Sequence, residues 1–334
     1  MSEPQSSNTA PGGAMTTQPF GPDKLPVSRI ALGCMGMAGT WNPDEVGPEN
    51  IRKVIVAFEA SLEAGITFYD HADIYGRGAC ESVFKECLAA VPGSREKIFI
   101  ATKGGIRFGW YDHSADYLRG ALQGSLERLG LDYVDLYQLH RPDPSTHPAE
   151  TAAVLDEFVE QGLVKYIGVS NYYPQQTLAL KKYLKAPIVS NQISISLLRL
   201  DPIYEGAAGG PGSVDSAGDG VLDQCMEMDI TPLAYSPVGG GWLSGRREVP
   251  ADNPRREQIE RTLAALREFG ALYGGATPTQ MAIAWLLRHP SGIIPLVGSN
   301  NPEHIREAAG AASIDLSRLD WFKIWTAARG VGVP

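Results

Sequence analysis

The chain has 334 residues, 43% of them apolar, enough for a large buried core and within the size of one α/β barrel. A formal net charge of −9 and a pI near 5.2 argue against a nucleic-acid partner, because phosphate contacts need clustered Lys and Arg. No run of about 18 apolar residues is present, so no membrane span is expected.

The amino terminus, MSEPQSSNTAPGGAMTTQPF, is rich in Ser, Pro, Gly, Gln and Thr. It lacks the basic start and apolar stretch of a signal peptide, which points to a cytoplasmic protein. Residues 1–22 are expected to form a disordered tail and residues 23–334 a single domain. From residue 30 onward, short apolar runs alternate with helical patterns. The predicted strands are Ile30–Gly33, Thr67–Tyr69, Ile98–Thr102, Val134–Leu139, Tyr166–Val169, Ile188–Gln192, Thr231–Tyr235 and Ile293–Val297. After the first strand, Ile51, Val54, Ile55, Phe58 and Leu62 share one helical face. Another helix is predicted from Pro148 to Gln161, with Pro in its first turn, Val154, Leu155, Phe158 and Val159 inward, and Gly162 as its stop.

Eight strand–helix repeats predict a closed parallel (β/α)₈ TIM barrel. The alternative, a doubly wound open sheet, would normally carry a G-x-G-x-x-G turn after its first strand. The nearest segment here, Gly33-Cys34-Met35-Gly36, has the wrong spacing. Two segments interrupt the rhythm: the Gly-, Ala- and Ser-rich stretch 205–220, read as a loop, and 238–255, which opens on Gly239-Gly240-Gly241 and Trp242. Both follow predicted strands, where barrel loops build the functional face. The cysteines are Cys34, Cys80, Cys87 and Cys225, and their spacing fits neither a zinc knuckle nor a redox pair. Cys80 and Cys87 fall in one predicted helix about 10 Å apart, too far for a disulfide.

The polar residues at strand ends carry the chemistry. The second strand runs into Asp70-His71-Ala72-Asp73-Ile74-Tyr75-Gly76, the third ends in Lys103-Gly104-Gly105, and the fourth in Leu139-His140-Arg141. Asp, Tyr, Lys and His at three adjacent strand ends can form one cluster. A free Tyr has a pKa of about 10, too high for a good acid near neutrality, and a nearby Lys⁺ is expected to lower it. Asp70 would keep the Lys charged, and His140 would donate a hydrogen bond to a carbonyl oxygen. A hydride must then come from a cofactor. Asp70, His71 and Asp73 could be read as metal ligands, but no second His/carboxylate cluster supports a metal.

With these residues in view, the chain resembles the aldo-keto reductase superfamily from about residue 24 to 330. The matching motifs are Asp70-x₄-Tyr75-Gly76, the Lys103 strand end, Leu139-His140, Gly168-Val169-Ser170-Asn171, Asn191-Gln192, Ala234-Tyr235-Ser236-Pro237 and Ile294-Pro295-x₂-Gly298-Ser299. The spacing is most similar to the bacterial oxidoreductases related to the potassium-channel β-subunits. The resemblance implies NAD(P)H-dependent reduction of a small carbonyl substrate by a tetrad of Asp70, Tyr75, Lys103 and His140. It implies that Ser170, Asn171 and Gln192 hold the nicotinamide carboxamide and that Tyr235 stacks on its ring. Ser236, Pro237, Val238, Gly239 and Leu243 would follow the pyrophosphate. Gly298, Ser299, Asn300, His304 and Glu307 would surround the adenosine end, and Met35 and Gly36 would also border the cofactor. Relatives that favour NADPH often carry Lys near position 298 and Arg at 304, where this chain has Gly298 and His304, and Asn where it has Ala308. NADPH is the expected cofactor, with NADH as the alternative. The segment Ser299–His304 reads as a helix start capped by Asn301, a natural anion site. Trp41, Trp110, Tyr111 and Trp242 either line a substrate pocket or cover the barrel rim. The competing functions are a non-catalytic nicotinamide-binding redox sensor and a metal-dependent barrel hydrolase.

Overall fold

Each of the eight predicted strands is a strand of one closed parallel barrel. The computed structural model describes residues 15–204 and 220–332. In chain order the barrel strands are β3 (Ala31–Gly33), β4 (Phe68–Asp70), β5 (Phe99–Gly104), β8 (Val134–Leu139), β9 (Val164–Ser170), β10 (Ile188–Ser194), β11 (Thr231–Tyr235) and β12 (Ile294–Val297). They pair in that order, and β12 closes on β3 through Leu296 opposite Ala31 and Val297 opposite Leu32. The helices that return the chain include α1 (Pro48–Glu63), α2 (Ala79–Ala90), α3 (Ala115–Leu129), α4 (Pro148–Glu160), α5 (Pro174–Lys181), α6 (Asp201–Tyr204) and α7 (Val221–Glu227). They continue with α8 (Arg256–Leu272), α9 (Pro278–Leu287), α10 (Pro302–Gly310) and α11 (Arg318–Arg329). The open-sheet alternative is thereby excluded. Among the described residues no helix is long and apolar enough to cross a membrane.

The period-two alternation of a strand sorts the side chains between two cores. Phe68, Phe99, Ala101, Leu136, Tyr166, Leu233 and Ile294 fill the lower barrel. Their neighbours Tyr69, Ile100 and Tyr137 face the helix layer, with Phe58 of α1 and Phe158 of α4. One step further along the inward set come Asp70, Lys103, Gln138 and Gln192, so the barrel is apolar below and polar at its carboxyl-terminal mouth. Gly168 belongs to this inward layer. A Cβ there would collide with Ser190 Oγ of the neighbouring strand, so only Gly lets β9 and β10 approach. The four cysteines are buried and free, with Cys80 and Cys87 both on α2.

The amino-terminal expectation is corrected. Residues 1–14 lie outside the described residues, as do 205–219, where the Gly-rich loop was read. From Thr17, however, the chain forms an antiparallel hairpin, β1 (Thr17–Phe20) with β2 (Leu25–Ser28), so the domain begins before residue 23. A second hairpin, β6 (Ile106–Arg107) with β7 (Trp110–Tyr111), rises after β5. The first hairpin closes the barrel floor. Phe20 is 1% exposed and packs edge-on against Phe68, Phe99 and Tyr166, with centroids 5.6, 5.0 and 6.4 Å away. Phe20→Ala should therefore open a cavity under the barrel and cost about 3 kcal/mol. The urea midpoint would fall with the slope unchanged. A shift within error of wild type would mean that the floor collapses onto the vacancy.

Candidate active site

Asp70, Lys103 and His140 sit on the tops of three consecutive strands because each ends an inward-facing set. Lys103 is fully buried. Its ammonium donates to both Asp70 oxygens, at 2.8 and 2.7 Å, and to the His71 carbonyl at 2.6 Å. Asp70 Oδ1 also accepts from Gln192 Nε2 at 2.8 Å and Gln138 Nε2 at 3.3 Å. A buried ion pair is tolerable only with its remaining valences satisfied, and these amides satisfy them. Tyr75 stands in the turn after β4, where Gly76 and Arg77 take left-handed backbone angles, φ 56° and 55°. Its ring lies 5.1 Å from the Lys103 ammonium and 5.8 Å from the His140 ring, nearly perpendicular to it at 82°. Among the described residues the Tyr75 hydroxyl has no hydrogen-bond partner, and neither has the buried Nδ1 of His140.

The electrostatics differ from expectation at one point. Burial, reinforced by the Asp70 carboxylate, holds the Tyr75 phenol well above its ordinary value. Desolvation of the buried phenol is the largest cause and the Asp70 carboxylate adds to it, so the neighbouring ammonium does not bring the phenol down in the resting site. Burial, with Lys103 and Arg141 adding positive charge, holds the His140 imidazole well below its ordinary value. The resting site thus has a protonated Tyr and a neutral His beside a buried ion pair. The metal-like group does not converge: Asp70 faces Lys103, the His71 ring packs 4.5 Å from Phe84, and Asp73 accepts from the Tyr117 hydroxyl at 3.2 Å.

The residues expected around a cofactor occupy the rest of the rim, on the ends of β9, β10, β11, β12 and β3. Ser170 Oγ donates to the Gln192 carbonyl at 2.9 Å, Asn171 Nδ2 reaches Ser170 Oγ at 2.8 Å, and the Tyr235 hydroxyl donates to Asn171 Oδ1 at 2.9 Å. Asn171 and Ser236 both hold left-handed backbone angles, φ 59° and 55°, a strain that marks a shaped site. Ser236, Pro237, Val238 and Gly239 form the turn after β11, closed by Gly239 N–H to the Ser236 carbonyl at 2.8 Å. The Leu243 side chain is buried and its N–H donates to the Val238 carbonyl at 3.1 Å, so it shapes this turn from inside. Gln192 donates its Nε2 to Asp70 Oδ1.

Asn301 caps α10 by accepting from Glu303 N–H at 2.8 Å, with Pro302 in the first turn, as predicted. Ser299 Oγ lies 3.5 Å from His304 Nδ1, and Gly298 follows directly on β12. Asn300 Nδ2 donates to the Gly36 carbonyl at 2.7 Å, tying the β12 loop to the β3 loop, where Met35 is exposed. Glu307 pairs with Arg246, tying α10 to the β11 loop. That bridge, and the support of Asp70 by Gln138, join residues far apart in sequence and were not foreseen. Gln138 alone left a trace, as an amide between the apolar Leu136 and Leu139 near the end of its strand. The aromatics thought to line or cover the rim are mostly exposed: Trp41, Trp110 and Tyr111 face solvent, while Trp242 carries the Arg247 guanidinium 3.6 Å above its ring.

The model of the aldo/keto reductase family matches residues 29–328. The chain belongs to that family. It is 39% identical over 325 residues to the 6-dehydroglucose reductase of Novosphingobium aromaticivorans, covering 93% of this chain and 98% of the relative. It is 37% identical to the 6-dehydroglucose reductase of Agrobacterium fabrum, covering 92% and 96%. A thermostable aldo-keto reductase solved with the inhibitor epalrestat superposes with a TM-score of 0.77 at 27% identity, over 94% of this chain and all of that one. As an aldo/keto reductase the protein is an oxidoreductase of the class that reduces carbonyl groups with a nicotinamide cofactor.

Proposed function

We propose that this aldo/keto reductase reduces small aldehydes or ketones to alcohols with NADPH, Tyr75 being the general acid. The observation that carries the reading is the Tyr75 hydroxyl: free of any partner among the described residues, beside the buried Lys103–Asp70 pair and the neutral His140 ring. Ser170 and Asn171 present a hydroxyl and an amide, which suit a carboxamide, and the Tyr235 ring stands beside them. The backbone is open around Gly36, Gly240 and Gly241, where a Cβ would meet nothing within 4 Å. The site therefore fits a dinucleotide. A bound reduced nicotinamide supplies the hydride that goes to the carbonyl carbon.

The chain's own groups handle the oxygen. His140 donates a hydrogen bond that holds it, and Tyr75 gives up its proton as negative charge develops there. Lys103 steadies the phenolate left behind, and Asp70 keeps Lys103 charged and in place. A proton held tightly at rest is released only to a strong base, such as an alkoxide in formation. The names of the relatives above bring hydroxylated aldehydes in as candidate substrates.

NADPH is favoured over NADH because the capped amino-terminus of α10, with His304 in its first turn, suits the 2′-phosphate. Glu303 in the same turn opposes it, which limits the preference. The test follows NADPH absorbance with butanal and D-glyceraldehyde, alongside Kd values for NADP⁺ and NAD⁺ in wild type and His304→Ala. Turnover, and a preference for NADP⁺ that shrinks in His304→Ala, are expected. Tight NADP⁺ binding with no turnover of any carbonyl would instead indicate a non-catalytic nicotinamide-binding module. Equal affinities for the two cofactors would remove the role of His304.

A further inference from the structure

A cavity of about 340 Å³ opens beside Asn171 and Tyr235 and is walled further by Arg141, Tyr172, Arg199 and Asp201. Its charges do not balance. Arg199 Nε is held by Asp201 at 2.6 Å, so that pair is neutral. Arg141 is half-buried and makes no ion pair or side-chain hydrogen bond with any described residue. The neighbouring carboxylate, two positions along the chain, does not turn toward it. Asp143 Oδ1 accepts from Ser145 N–H and Oγ at 2.8 and 2.6 Å, and Oδ2 from His113 N–H and Thr146 Oγ1 at 2.9 and 2.6 Å. Among the described residues no carboxylate matches this guanidinium, in a chain with 38 acidic and 29 basic residues.

A half-buried guanidinium at a cavity wall, with its planar fork of donors meeting no described residue, is poised for an oxyanion, which it binds bidentately. Arg141 directly follows His140, so its backbone lies about 3.8 Å from that residue's. It thus stands on the tetrad side of the mouth, away from the α10 start. We infer that Arg141 is a specificity-determining residue that takes a carboxylate carried by the substrate a few bonds from the reacting carbonyl. This rests on the reductase reading above and narrows its substrate class to short aldehyde or keto acids, hydroxylated ones included.

The experiment compares 4-oxobutanoate with butanal, which differ only by the carboxylate, in wild type, Arg141→Met and Arg141→Lys, with NADPH. Wild type should favour 4-oxobutanoate by about tenfold or more in kcat/KM, the size of a charge-assisted hydrogen bond. Arg141→Met should lose that preference through KM, with butanal turnover and NADPH Kd unchanged. Arg141→Lys should restore part of it, since the charge returns without the fork. The inference is overturned by equal kcat/KM for the two aldehydes in wild type. It is also overturned by a preference that survives in Arg141→Met, or by weaker NADPH binding in that variant, which would assign Arg141 to the cofactor. If neither aldehyde is reduced, the reductase reading fails, and calorimetric titration of succinate into the NADP⁺ complex decides alone. Binding abolished in Arg141→Met supports the anion site, and no binding to wild type overturns it.

Discussion

Tyr75→Phe should lower carbonyl turnover by about 10²–10⁴-fold, the usual worth of general acid catalysis, while leaving NADPH affinity and the unfolding midpoint near wild type. The expectation follows from how the side chain is held. Its hydroxyl bonds to no described residue, so removing it strands no donor or acceptor. The ring keeps its edge contact with His140 and its place beside Lys103. What is lost is the proton. Burial holds the phenol above its ordinary value and His140 below its own, so neither titrates near neutrality in the free enzyme. Wild-type kcat/KM for reduction should therefore be flat from about pH 6 to 8. A bell centred near 6.5 would point to a His140 that changes charge and to another proton donor. A Tyr75→Phe enzyme retaining more than about a tenth of wild-type turnover would remove Tyr75 from the acid role.

The barrel strands were legible because parallel strands buried on both faces read as continuous apolar runs. The run at Ile98–Thr102 shows this, and the structure shifts its ends by only a residue or two. The placing of Asp70, Lys103 and His140 at the barrel mouth was legible because each is a polar residue that closes or directly follows an apolar run. The first hairpin was not. Its strands are four residues each, both contain Pro, and each offers a single fully buried apolar side chain, Phe20 or Val27, too few to register as a period. The direction of the Tyr75 shift was lost for a different reason. The shift comes first from how deeply the phenol is buried and then from the Asp70 carboxylate, and both depend on packing between strands and loops far apart in sequence. The same holds for the hydrogen bond from Gln192 Nε2 to Asp70, which joins residues far apart in sequence.

Lys103→Met should damage stability as well as turnover, which separates it from Tyr75→Phe. Lys103 is fully buried and Asp70 is 2% exposed, so removing the ammonium leaves a carboxylate in the barrel with only Gln192 and Gln138 to serve it. Breaking a buried pair from one side costs about 3–5 kcal/mol, because the stranded charge has neither water nor partner. The His71 carbonyl loses its 2.6 Å donor in the same step. Protonating the stranded carboxylate relieves the penalty, so the stability gap to wild type should narrow as pH falls toward 4 and widen above 7. Asp70→Asn in the same molecule removes the stranded charge and should recover most of the stability. Turnover should stay low in that double variant, because Lys103 would no longer be present to steady the phenolate. Asp70→Asn alone keeps the ammonium and should slow turnover less than Lys103→Met does. Urea midpoints at three pH values and single-turnover rates on the same four proteins decide it. A double variant that regains both stability and turnover would show that Lys103 only balances Asp70 and takes no part in the chemistry. A Lys103→Met protein as stable as wild type at pH 8 would show that Asp70 reaches solvent or another cation once the pair is broken.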